Sequence, residues 1–213
     1  MMQKNCKFVL PLLLVCGSIS MAQTDKPNRT AAVPAVEMHQ PDAEVTAGTL
    51  DAQREKRALM IFLKSVQSQI VSAADAMPAV KYGFAPTEGE FKGVRTFGQQ
   101  VKHLAATNHI LAAAALGEEP PSDAGDEQGP ENIRTKPELL DYLNASFTHL
   151  GKAIDGIGDN SAAVKSSPIS PLPASKTTRL ALTVEALIHA FDHYGQMVEY
   201  LRMNGVVPPA SQP

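Results

Sequence analysis

The stretch from Ala181 to Gly205 limits what this chain can fold into more than any other part of it. It reads as a helix closed by Gly205 and by Pro208-Pro209. On a helix, His189 and His193 lie four residues apart on one face, with Cβ atoms about 5–6 Å apart. Gln196 falls one turn further along that face. Two imidazoles at this spacing make half of a metal site, because both side chains reach one ion without backbone strain. The rest of the site must come from elsewhere, and the best candidate is His103, inside the helix-like stretch VRTFGQQVKHLAATNHILAAAALG. The competing account is that such histidines are buried and hydrogen-bonded to neighbours. The pair is not an HExxH motif: Ala190 follows His189, so no glutamate stands there as a base.

Composition favours helices around one core. The 213 residues are 44% hydrophobic and 5% aromatic, with Ala and Leu dominant and no Trp. The net charge is −3 and no basic patch stands out, which argues against nucleic acid as a partner. Residues 1–22 read as an export signal: Lys4 and Lys7, an apolar run from Phe8 to Val15, then Ser20-Met21-Ala22 as a cleavage site. The apolar run is too short to stay in a bilayer as a resident helix. The expected location is therefore periplasmic or secreted, with no stable membrane insertion after cleavage. Cys6 and Cys16 both fall inside the signal, which would leave a mature chain without thiols. Cys16 as the lipidated residue of a lipoprotein is the rival reading, disfavoured by the bulky Val15 before it. Residues 23–48, with Pro27, Pro34, Pro41 and His39, read as a disordered tether.

Four helices follow. The first spans Thr49–Met77, with an apolar stripe of Leu59, Phe62, Val66, Ile70 and Ala74, and stops at Pro78. Between Ala79 and Arg95, Tyr82, Phe84 and Phe91 are expected to be buried, and Glu88 and Glu90 solvated. The second helix, Thr96–Leu116, opens on a Thr96/Gln99 capping box and stops at Gly117. His103 borders its core side, marked by Val101, Leu104, Leu111 and Ala115. His109, six residues on, faces away and is expected to be exposed. An acidic loop, 118–134, is expected to be mobile and solvated. The third helix opens on Thr135 with Glu138, carries Leu139, Leu143, Phe147 and Leu150 on one face, and ends at Gly156. His149 near its end suits the helix dipole. After a Ser/Pro-rich loop, the fourth helix is expected to start at Ser175 and to match the first in length. On it, Asp192 reads as a surface residue and Tyr200 as packing, while Gln196 is expected either to donate to His193 or a bound water, or to bond between helices.

Three neutral imidazoles bind zinc, nickel or another late first-row metal and leave a position for water or substrate. Water there loses a proton near neutral pH; a substrate thiolate is the other natural occupant.

Two segments carry a resemblance: YGFAPTEGEFKGVRTFGQQVKHLAA at Tyr82–Ala106 and HAFDHYGQMVEYLRMNGVVPPAS at His189–Ser211. The first has a Pro-Thr turn leading into a helix with one histidine, and the second has HxxxHxxQ followed by YLRxNGxxPP. Together they resemble the DinB/YfiT-like superfamily over about Thr49–Ser211. The resemblance implies an all-α four-helix bundle, here with long polar loops after helices 2 and 3. It also implies a divalent metal, zinc or nickel, on His103, His189 and His193, and a possible homodimer. Activities in the superfamily include thiol transfer, hydrolysis and isomerisation. An exported chain departs from members that use cytoplasmic thiols. The leading expectation is an exported metal-dependent enzyme, of hydrolase or transferase type, acting on a small molecule of unknown identity. The alternatives are a non-catalytic binding or stress-response module on the same bundle, and a metal-free structural protein. No residue is assigned as a general base.

Overall fold

The computed structural model describes residues 47–122, 124, 127–158, 167, 169–173 and 177–212. These belong to the compact unit Ala43–Pro213. The signal, most of the tether and His39 lie outside the described residues.

Four helices make the bundle: α1 Ala47–Ala76, α2 Phe97–Leu116, α3 Lys136–Asp155 and α4 Arg179–Met203. No strand occurs among the described residues. α2 packs between α3 and α4, and α1 closes the ring against the same two helices. Helices consecutive in sequence, α1–α2 and α3–α4, therefore sit across the diagonal, and α2 lies beside α4. Pairings of Arg95 with Tyr200, Gln100 with Gln196 and His103 with His189 show that α2 and α4 run antiparallel.

The stripes that drive the packing have helical spacing. On α1, Leu59, Leu63, Val66, Ile70 and Ala73 are buried, recurring by alternating steps of four and three. The expected stripe included Phe62, which is instead 59% exposed. Leu63 fills that place because a seam facing two neighbouring helices follows the 59–63–66–70 line, and Phe62 sits on its shoulder. Phe97, Leu104, Leu111, Phe147, Leu150, Leu182, Met197 and Leu201 complete the centre. α2 is buried nearly all round, including Ala105, Ala106 and Ala112 to Ala115. A helix rich in alanine lets its neighbours approach closely on every side.

Local chemistry sets the boundaries. Thr96 Oγ1 accepts from Gln99 N at 3.3 Å, and Gln99 Oε1 accepts from Thr96 N at 2.8 Å. Glu138 accepts from the backbone N–H groups of Thr135 and Arg134, which holds its carboxyl below the usual range. Gly117 ends α2 at φ 78°. α4 is shorter than expected: Thr178, extended at ψ 163°, accepts from Ala181 N and caps a helix of 25 residues starting at Arg179 rather than Ser175. α1 is 30 residues long and begins at Ala47, so it takes in the last two residues of the expected tether.

The connection from α1 to α2 is structured. Tyr82 donates from its hydroxyl to Ala74 O at 2.7 Å and sets its ring edge-on to Phe97 at 5.3 Å. Burial raises its pKa. Phe84 meets Tyr200 edge-on at 5.7 Å. Phe91 is 38% exposed, contrary to the expectation of burial. Glu88 and Glu90 are exposed, as expected. The acidic loop also differs from expectation. Ala124 and Pro130 are buried, Gly129 N donates to Ala124 O, and Lys102 Nζ donates to Pro130 O at 3.0 Å. A few small apolar residues within the charge run hold this loop against α2.

Candidate metal centre

α2 contributes His103, one ring buried to 3% exposure. α4 contributes His193, also buried, and His189, half-buried one turn away. Their ring centroids are 4.4–5.1 Å apart. The Nε2 atoms of His103 and His189 are 3.2 Å apart, and those of His193 and His189 are 3.0 Å apart. The four-residue spacing brings the α4 pair together, and the diagonal connection brings the third ring.

The outer side of His103 fixes its tautomer. Its Nδ1 lies 3.0 Å from the carbonyl oxygen of Glu127, which only accepts, so Nδ1 carries the proton and Nε2 presents a lone pair inward. Glu127 adopts φ 77°, a conformation uncommon outside glycine, and this turns its carbonyl toward the histidine. Its carboxylate is 3.7 Å from the same nitrogen. The loop expected to be merely solvated thus supplies the partner that orients a site histidine. No sequence signal predicts this, because a backbone carbonyl has no residue identity.

All three rings are held neutral. Burial drives the pKa of His189 down to about 3, helped by His193, His103 and Arg95. Burial, with His103 next, drives His193 down to about 4. His103 is lowered by burial, partly offset by the Glu127 carbonyl. Neutral imidazoles are the ligand form.

The donor set fits a late first-row cation. At metal–nitrogen distances of about 2.1 Å, ligand nitrogens stand about 3.0 Å apart at right angles and about 3.4 Å apart in a tetrahedron. The observed separations of 3.0 and 3.2 Å fall in that range. His103 cannot donate inward, so hydrogen bonds alone cannot link all three rings in a closed cycle. The Nδ1 atoms of His189 and His193 are buried without a partner among the described residues, so only His103 has an outer carbonyl. Among the described residues this is the one group of three or more metal-ligating side chains close enough to share an ion.

A model of the DinB superfamily matches residues 63–197, a span that contains all three histidines. The chain belongs to the DinB superfamily. No match is found among curated proteins. Membership and the proximity of the three rings are compatible with a divalent metal.

The DinB-type bundle also contains a second histidine contact. His109 Nδ1 lies 3.0 Å from His149 Nδ1, and Glu118 lies 3.6 Å from His149 Nε2. His109 is half-buried, where exposure was expected. Beyond the triad, Gln196 accepts from Gln100 at 2.5 Å and donates to Asp192 at 3.0 Å, forming a bond between helices. Tyr200 is packed and donates to Arg95 O at 3.1 Å.

Proposed function

We propose that this DinB-superfamily protein is a metal-dependent enzyme of hydrolase or transferase type, with zinc or nickel held by His103, His189 and His193. The observation that carries the reading is the gathering of three neutral imidazoles whose ligand nitrogens all lie within 4.8 Å of one another, with His189 Nε2 at 3.2 Å from His103 Nε2 and 3.0 Å from His193 Nε2. What such an ion supplies when bound is Lewis-acid polarisation of a substrate oxygen or sulfur. The chain's residues do the rest. Glu127 O holds the His103 ring, burial keeps all three ligands unprotonated, and the half-buried His189 leaves an approach from one side. The test is metal analysis of purified protein. The wild type carries about one zinc or nickel per chain, and a His189→Ala, His193→Ala variant carries none. Full metal retention by that variant overturns the assignment.

The alternative, a non-catalytic binding module, draws support from one observation. Among the described residues no carboxylate joins the group close enough to share an ion, and that of Glu127 lies behind His103 at its outer nitrogen. Turnover of the metal-loaded protein on esters, amides or thiol–electrophile pairs separates the two readings. Export by residues 1–22 is likewise proposed, and a mature N-terminus at Gln23 would bear it out. No described helix is long and apolar enough to cross a membrane. The proposed homodimer would use the exposed α4 stripe of Val184, Ile188 and Phe191.

A further inference from the structure

One helical turn from the triad, a cavity of about 440 Å³ is lined by Val94, Arg95, Gln99, Gln100, Gln128 and Gln196. Gln100 precedes His103 by three residues and Gln196 follows His193 by three, so the cavity lies about 4.5 Å along the helix axes from the ligands. None of its lining residues is acidic. Arg95 is half-buried and, among the described residues, has no ion-pair partner. A half-buried cation in this position gains most from an anion that enters with the ligand.

A second feature points the same way. The Asp192 carboxylate can only accept, so the Gln196 amide must turn its nitrogen to Asp192 and its oxygen to Gln100. Gln100 must then spend its nitrogen on Gln196. Its own Oε1 is left buried without a partner, on a side chain only 3% exposed. A buried acceptor in that state awaits a donor.

We propose that Arg95 is the specificity-determining residue of this site: it binds the carboxylate of a small substrate, while Gln100 Oε1 accepts an N–H or O–H beside that carboxylate. The substrate class is an acid bearing a nearby amide or hydroxyl, as in an N-acyl amino acid. The carboxylate would sit one turn from the histidines, leaving the reactive group to reach them. Reaction at the histidines rests on the metal reading above, whereas carboxylate binding is measured apart from it.

The experiment is titration of the zinc-loaded full chain with N-acetylglycine, N-acetylglycinamide and inorganic phosphate, followed by calorimetry, with zinc content measured in parallel. N-acetylglycine is expected to bind at least about tenfold more tightly than the neutral amide. Arg95→Gln should weaken N-acetylglycine by about tenfold, Arg95→Lys by less, and zinc content should stay at the wild-type level. The backbone bond from Tyr200 to Arg95 O survives both changes, so the fold is kept. Equal binding of acid and amide, or unchanged affinity in Arg95→Gln, overturns the proposal. Binding of phosphate in place of N-acetylglycine overturns the carboxylate assignment. Loss of zinc without loss of Arg95-dependent binding would instead overturn the metal reading alone.

Discussion

α2 carries two histidines that meet partners on opposite sides, and the two meetings differ in kind. His103 faces α4 and finds two rings, with a carbonyl behind it and Arg95 as a nearby cation. His109 faces α3 and finds one other imidazole, His149, beside the Tyr142 ring, with the exposed carboxylate of Glu118 behind His149. Both contacts have nitrogens about 3.0 Å apart, so proximity alone does not separate them. What separates them is ligand number and water. Three neutral donors, two buried and one half-buried, favour a cation, whereas two half-buried rings share one hydrogen bond and tolerate solvent.

The largest expected effect tests that contrast directly. With metal at about a thousandfold excess over its dissociation constant, binding stabilises a fold by about 4 kcal/mol, or roughly 10 °C for a domain this size. Chelation should lower the melting temperature of the wild type and of His109→Ala by that amount, and leave His103→Ala unmoved. An unmoved wild type would place both contacts in the same class.

Next comes Gly129→Ala. The added Cβ would meet Lys102 Cγ at 2.8 Å, at φ 71°. The loop holding Glu127 must shift, so stability should fall by about 1–2 kcal/mol in chemical denaturation. Metal affinity should fall with it if the Glu127 carbonyl positions His103.

Acid should act on the triad. His189 and His193 titrate near 3 and 4 when folded, against 6.5 for the free side chain. Below pH 6.5 the unfolded chain takes up protons that the folded site refuses. Stability of the metal-free protein is therefore full above about pH 6.5 and falls as pH drops toward 4. Melting curves across that window check it, and His189→Gln should flatten them.

The smallest effect is expected at the other contact. Glu118→Gln removes an exposed carboxylate beside His149, and should change stability by less than about 0.5 kcal/mol and metal content not at all.

Much of the bundle was legible beforehand. Thr96 with Gln99, Thr135 with Glu138, and the stops at Gly117 and Pro78 are local, so their sequence patterns carry over into structure. Phe62 and Phe91 are exposed against expectation, because burial depends on which neighbour covers a shoulder position. Ser175 lost the start of α4 to Thr178, a better-placed cap three residues later. Of the site, the pair on α4 is readable from its spacing, and His103 from its place in a second helix-like stretch and from the resemblance of both segments to the DinB superfamily. Gln100, Arg95 and the Glu127 carbonyl were not, since each acts through contacts made far along the chain.

Local spacing determined four helices and the shared face of His189 and His193, because those relations span a single turn. Tertiary structure alone decided that α2 lies against α4 across a diagonal connection, which way the acidic loop folds, and which of two histidines on α2 meets two others. Those outcomes follow from packing whole helix surfaces together, a balance no short segment contains.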